Sequence, residues 1–303
     1  MKKLFIIFIY LTFLSVVAFS QTKNKYKYEF IGGIGPTGFL GDLGGADQNG
    51  SHFLKDYNFN STRFNINAGV RYKKTSHFGF KGMLTYAMVS GNDALTKEPI
   101  RHNRNLNFRS PIVELSAQVE YYFIDEKTKS LYSISGLKSK KKKRKVTAYL
   151  FSGIGLFFYN PKEKLNGEWY SVRKYHVEGQ GLPGGPKQFS NFNVAIPIGL
   201  GFRYTVNKRW SIGAEFGYRK TFTDYIDGVS GKYYDKVKLE QAYGAIAVAL
   251  ADPSLGTIPG ATSPDGKGVG AERGNPKYKD TYMFFTINVG YKFTKQHRTR
   301  AKF

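Results

Sequence analysis

Residues 282–293 carry a strict two-residue beat. Met283, Phe285, Ile287, Val289, Tyr291 and Phe293 fall on one face; Tyr282, Phe284, Thr286, Asn288, Gly290 and Lys292 fall on the other. Side chains of a strand alternate faces, whereas a helix would repeat every 3.6 residues. One face is apolar and the other is small, polar or aromatic. The pattern recurs around 62–73, where Phe64, Ile66, Ala68, Val70 and Tyr72 oppose Asn65, Asn67, Gly69 and Arg71, and again around 77–89, 111–123, 194–206 and 210–223. Weaker versions lie at 25–34 and 146–159. These make about eight strands, each close to the ~9–11 residues that a tilted strand needs to cross a bilayer.

Only the extreme N-terminus has a long apolar run. Lys2 and Lys3 precede an apolar Leu4–Phe19, and Ala18-Phe19-Ser20 gives a small-x-small pattern before Gln21. This reads as a cleaved secretory signal over 1–20 rather than an anchoring helix, being short for a span and followed at once by a cleavage pattern. After it, no stretch of about 20 apolar residues exists, so a membrane could be crossed only by a closed barrel, in which every N–H and C=O is paired internally. The expected fold is therefore all-β: a closed antiparallel transmembrane β-barrel of about eight strands over 21–293, followed by a basic tail over 294–303. Pro197 lies inside one strand pattern and predicts a bulge or local break there.

The links alternate in length. Residues 73–76 and 206–209 are tight turns, whereas 35–61, 91–108, 161–190 and 226–281 are long. Short turns on one side and long loops on the other suit an outer-membrane barrel with periplasmic termini, the inner link 125–145 being the exception; a soluble β-sandwich has no reason to gather its long loops at one end. Leu239, Ala242, Tyr243, Ile246 and Leu250 recur at helical spacing in the longest loop, predicting a short helix that either lids the mouth or packs on its own loop. The segment 253–276 is rich in Gly and Pro and reads as irregular.

The faces assigned to the lumen carry both charges: Lys27, Glu29, Arg71, Lys81, Glu114, Glu120, Arg203, Glu215 and Arg219. A bore of about eight strands is filled by side chains, and enclosed charges must pair. The expectation is an interior ion-pair network rather than an ion path or general pore.

Catalytic and metal signals are weak. There is no Cys, and the five His (His52, His77, His102, His176, His297) have no ligand spacing. Asp47-Gln48-Asn49-Gly50 lacks the later acid of a calcium loop. Ser90, Asp93 and His102 lie where a rim-sited lipid-modifying enzyme would place its residues, without specific spacing. No enzyme activity, cofactor or metal is expected.

The formal net charge is +24. Lys138, Lys140, Lys141, Lys142, Lys143, Arg144 and Lys145 form a basic run, and Lys295, Arg298, Arg300 and Lys302 add to it in the tail. Export makes nucleic acid an unsuitable partner, and the strand count puts both segments on the periplasmic side. The run is either a solvated loop or a surface attracted to anionic headgroups or an acidic periplasmic partner.

Several stretches resemble a known family: Gly41-Asp42-Leu43; Asn103-Arg104-Asn105-Leu106-Asn107-Phe108-Arg109-Ser110-Pro111 leading into Glu114-Leu115; Phe158-Tyr159-Asn160-Pro161; Gly167-Glu168-Trp169-Tyr170; Glu178-Gly179-Gln180-Gly181; and the run from Gly199 through Arg219-Lys220-Thr221-Phe222-Thr223-Asp224-Tyr225 to Asp227-Gly228-Val229-Ser230-Gly231. With these the chain resembles the PorG-like outer-membrane barrels of the type IX secretion and gliding machinery. The resemblance implies a non-enzymatic barrel that ties periplasmic secretion-ring proteins to the outer membrane. Charge and side point to Lys140, Lys141, Lys142, Lys143, Arg144, Lys145, Arg298 and Arg300 as the docking residues. The competing expectation is a surface-binding or adhesion barrel that works through its outer loops.

Overall fold

The computed structural model describes residues 28–43, 61–126, 145–257 and 271–293. The leader 1–20, Lys27, the turn at 47–50, His52, Lys138 to Arg144, His297 and the tail with Arg298 and Arg300 lie outside the described residues.

Eight strands close a ring: β1 (Tyr28–Leu40), β2 (Arg63–Lys73), β3 (Phe78–Asn92), β4 (Asn107–Ile124), β5 (Val146–Tyr159), β8 (Phe192–Thr205), β9 (Trp210–Thr221) and β10 (Thr281–Lys292). Their order is β3-β2-β1-β10-β9-β8-β5-β4, and β4 pairs back onto β3, so the cylinder has no free edge. Every pairing is antiparallel. The first and last strands meet over most of their length, from Glu29↔Lys292 to Leu40↔Thr281.

The two-residue beat maps onto the wall. Ile34 is 64% exposed and Leu115 61%, and Phe80, Leu84, Leu150, Ile154, Phe202, Ile212 and Ile287 also face outward. Their strand neighbours are buried or half-buried. A continuous outward band of large apolar side chains is matched by acyl chains rather than water.

Several strands outrun their sequence signals. β1 continues to Leu40 instead of ending near 34, while β3 and β4 extend to Asn92 and back to Asn107. Wall pairing carries these residues beyond the alternating core. The long link after β5 is not simply a loop, because it opens with a hairpin, β6 (Lys162–Leu165) and β7 (Glu168–Ser171), attached to β4 through Arg109↔Lys162. At Pro197 the β5–β8 ladder lapses between Ser152↔Ile198 and Gly155↔Ala195 and resumes in the same register. Proline therefore breaks the ladder locally without a bulge. The register shift in the wall lies elsewhere, between Tyr122 and Ile124.

The helical spacing of 239–250 forms two helices, α3 (Lys236–Tyr243) and α4 (Ala245–Ala251), not one. Gly244 separates them with a φ of +83°, a conformation that L side chains rarely adopt. Asp235 caps α3 by accepting from the amides of Val237 and Lys238. A further short helix, α1 (Pro99–Arg104), precedes β4, and α2 (Val172–Tyr175) follows β7.

Candidate functional site

Three layers fill the cylinder. At the end bearing the short turns 74–77 and 206–209, the lumen is ionic. Arg71, on β2, is its hub. Its Nε donates to both Glu120 oxygens at 3.0 and 2.7 Å, Nη1 donates to Glu29 at 2.8 Å, and Nη2 donates to Tyr149 Oη at 2.8 Å and to Glu215 at 3.1 Å. Lys81 pairs with Glu215 at 2.8 Å and with Glu120 at 3.4 Å. Arg203 pairs with Glu29 at 2.6 Å, and Ser211 donates to the other Glu29 oxygen at 2.5 Å. Tyr122 and Tyr149 donate to Glu120 and Glu215, each at 2.5 Å. Three acids and three bases from six strands thus share one connected net. Each charge has an opposite partner, the arrangement that makes burial of ions tolerable.

Glu114 and Arg219 form a separate pair, 3.4 Å apart, farther along the bore. Tyr282 donates to Glu114 at 2.8 Å, and the Arg219 guanidinium lies 4.1 Å from the Phe284 ring centroid. All eight lumen charges named from the sequence that are described thus lie inside the wall, six in one net and two in another. Voids near Asn67 and Gln118, and near Asn288 and Gly290, are water-sized. Such a bore offers no continuous passage for solutes.

An apolar layer closes the long-loop end. Phe39, Phe108, Ile112, Phe157, Tyr159, Phe189, Ile226, Tyr282 and Phe284 pack together from the loop-bearing ends of the strands. Above it the described parts of the four long loops form a cap joined by two arginines. Arg104 donates to Asp93 (2.7 and 3.0 Å), to the Asp42 carbonyl (2.9 Å) and to the Arg273 carbonyl (2.7 Å). Arg273, 1% exposed, donates to Glu178 (3.0 Å) and to the carbonyls of Gly228 (3.0 Å) and Ala251 (3.1 Å), and lies 3.8 Å from Glu163. A second small core of Val172, Val177, Leu239, Ala247, Leu250 and Ala251 holds the helices on the loops. The α3–α4 pair therefore packs within the loop layer.

Carboxylates beneath the cap serve loop amides. Asp42 accepts from Asn275 N, Asp227 from Leu43 N and Val229 N, and Asp280 from Ile226 N. Burial raises the Asp42 carboxyl to about 6, against the opposing pull of the Asn275 amide and Arg104. Burial raises Asp224 to about 7 and Glu163 to about 8. Asp227 and Asp280 are also pushed well up, first by burial and then by neighbouring carboxylates.

Sequence reasoning missed this cap. Asp42, Arg104, Glu178, Asp224 and Asp227 all lie in the stretches that carry the family resemblance, but spacing alone does not show that they converge. Arg273 sits in a Gly- and Pro-rich segment that reads as irregular. Ser90 and Asp93 do not join His102: Ser90 Oγ donates to the Ser61 carbonyl at 3.1 Å, Arg104 takes both Asp93 oxygens, and His102 is exposed. Among the described residues no group of three or more His, Asp or Glu is arranged to hold a metal ion. Of the proposed docking residues only Lys145 is described, exposed at the short-turn rim.

No curated protein matches the chain. Among solved structures it is similar to the attachment invasion locus protein Ail of Yersinia pestis (10% identity, 89% of this chain and 100% of that one, TM-score 0.37). It is also similar to Neisserial surface protein A (11%, 89% and 100%, TM-score 0.38) and to OprG from Pseudomonas aeruginosa (12%, 91% and 100%, TM-score 0.34). Over residues 2–246 it matches the family described as Domain of unknown function (DUF6089), and the chain belongs to that family.

Proposed function

We propose that this protein is an outer-membrane barrel that anchors a periplasmic protein-secretion complex of the type IX kind, without enzymatic activity. The observation that carries the reading is a cylinder with an apolar exterior and a bore filled by paired charges around Arg71. Such a body can be held in a membrane but gives solutes no route through it, so its working surfaces are its two ends. The PorG-like stretches and the basic segments 138–145 and 294–303 support the short-turn end as the docking side, facing the periplasm, with the cap outside. The leader at 1–20 supplies the export that this placement requires.

The test is affinity capture from detergent-extracted membranes, followed by mass spectrometry, together with deletion of the gene. Periplasmic ring proteins should co-purify, and deletion should block export. Replacing Lys140, Lys141, Lys142, Lys143, Arg144, Lys145, Arg298 and Arg300 by Gln should release the ring proteins while the barrel still inserts. Unimpaired export after deletion would overturn the reading. The tied outer cap favours a second reading, adhesion through a preformed surface. That reading predicts loss of surface binding, with export intact, when 226–281 is trimmed.

A further inference from the structure

The short-turn rim holds two carboxylates among the described residues near its strand ends, Asp125 and Glu126, and both are already engaged. Lys73 pairs with Asp125, and Lys292 with Glu126 at 2.8 Å. Four other bases at this end, Lys74, Lys145, Lys208 and Arg209, are exposed and make no ion pair among the described residues. Two of them lean onto the outer wall rather than into the bore. Lys74 Nζ lies 6.0 Å from the centroid of the outward Phe80 ring, and Lys145 Nζ lies 5.6 Å from that of Tyr204. Below them runs a belt of outward aromatic pairs, including Tyr28–Tyr72 at 5.0 Å, Phe78–Tyr121 at 5.3 Å and Trp210–Tyr291 at 4.9 Å. Aromatic rings of this kind sit at headgroup level, and basic side chains beside them reach up to lipid phosphates.

The turn bearing Lys74 joins β2 to β3, and the turn bearing Lys208 and Arg209 joins β8 to β9. In the closed order β3-β2-β1-β10-β9-β8-β5-β4 these two turns stand on opposite sides of the ring, with Lys145 beside β8. The charge therefore stands on two opposite sides of the rim, Lys74 on one and Lys145, Lys208 and Arg209 on the other, instead of forming one pocket. We infer that Lys74, Lys145, Lys208 and Arg209 form a collar that binds the headgroups of anionic phospholipids in the leaflet at the short-turn end. The collar fixes how deep the barrel sits. The inference goes beyond the anchoring role and does not depend on it.

The full mature chain, loaded with an equimolar mixture of phosphatidylglycerol and phosphatidylcholine in detergent, is to be examined by native mass spectrometry. The wild type should retain phosphatidylglycerol preferentially. K74Q/K145Q/K208Q/R209Q should lose that preference, by roughly fivefold for each charge removed. The smaller variants K74Q and K208Q/R209Q, checked for folding by their heat-modifiable gel shift, should each lose part of it. K187Q/K277Q, which removes exposed bases at the opposite end, should leave it unchanged. Equal retention of both lipids by the wild type, or an undiminished preference in the rim variants, would overturn the collar. An equal loss in K187Q/K277Q would do the same, as would displacement of the lipid by an equal concentration of inorganic phosphate.

Discussion

Arg71 holds Glu120 through a single nitrogen, Nε lying 2.7 Å from one carboxylate oxygen and 3.0 Å from the other, with both side chains sealed inside the wall. Its two remaining nitrogens reach Glu29 and Glu215. The hub is therefore one guanidinium neutralising acids from three other strands. Lys81 and Arg203 share those acids but do not replace its geometry.

Removing that hub should be costly. Arg71→Met leaves buried carboxylates with incomplete partners, and the expected loss is about 3–5 kcal/mol. Arg71→Lys should recover only part of it, because an ammonium cannot reach three acids at once. The temperature of the heat-modifiable gel shift, or urea unfolding in detergent, measures both.

The filled bore predicts electrical silence. Wild-type protein in a planar lipid bilayer should give no steady conductance steps. A variant that empties the net while keeping charges matched, such as R71A/E120A, should be the one that conducts. Steps of porin size from the wild type would contradict the packed lumen.

In the cap, Arg273→Ala should loosen loops without opening the barrel. It withdraws three good hydrogen bonds and leaves Glu178 and Glu163 without Arg273 as a cationic partner beneath the loops. Hydrogen exchange should rise across 163–182 and 228–251, and protease should cut there, while strands β1–β5 and β8–β10 keep their protection. Arg104→Ala should behave likewise across 42–43 and 93–106.

The cap should weaken as pH rises. Asp42, Asp224 and Glu163 have carboxyls raised to about 6, 7 and 8, each mainly by burial. Below about pH 4 the groups are protonated in both folded and unfolded chains, and the cap has its full stability. Between about pH 4 and 8 the unfolded groups ionise freely while the folded ones resist, so stability falls, and it levels off above the folded values. Arg101, Arg104 and Lys279 oppose the rise, and Glu178 adds to it. Protease resistance of the cap measured from pH 4 to 8 should decline, and D224N should flatten the decline.

Gly153→Ala should strain the wall. A Cβ on Gly153 would meet the Ala117 carbonyl oxygen at 2.1 Å and Gln118 Cα at 2.7 Å, both in β4. Backbone cannot swing away as a side chain can. The expected cost is about 1–3 kcal/mol, seen as a lower gel-shift temperature.

Sequence by itself determined the eight wall strands and, within their alternating stretches, the side to which most residues point. A period of two leaves no choice of face once one face must meet apolar surroundings, so Ile287 went outward and Glu215 inward without knowledge of any contact. It also determined that the enclosed charges needed partners, because burial of a lone ion is too unfavourable. Only the tertiary structure decided which partners. Glu29 and Arg203 are 174 residues apart in the chain, and their meeting depends on strand stagger and closure, which no local pattern encodes. The cap was still less legible. Arg273 sits in a stretch with no period, and what holds it is three carbonyl and carboxylate groups from the third and fourth long loops, brought together only after the ring has closed.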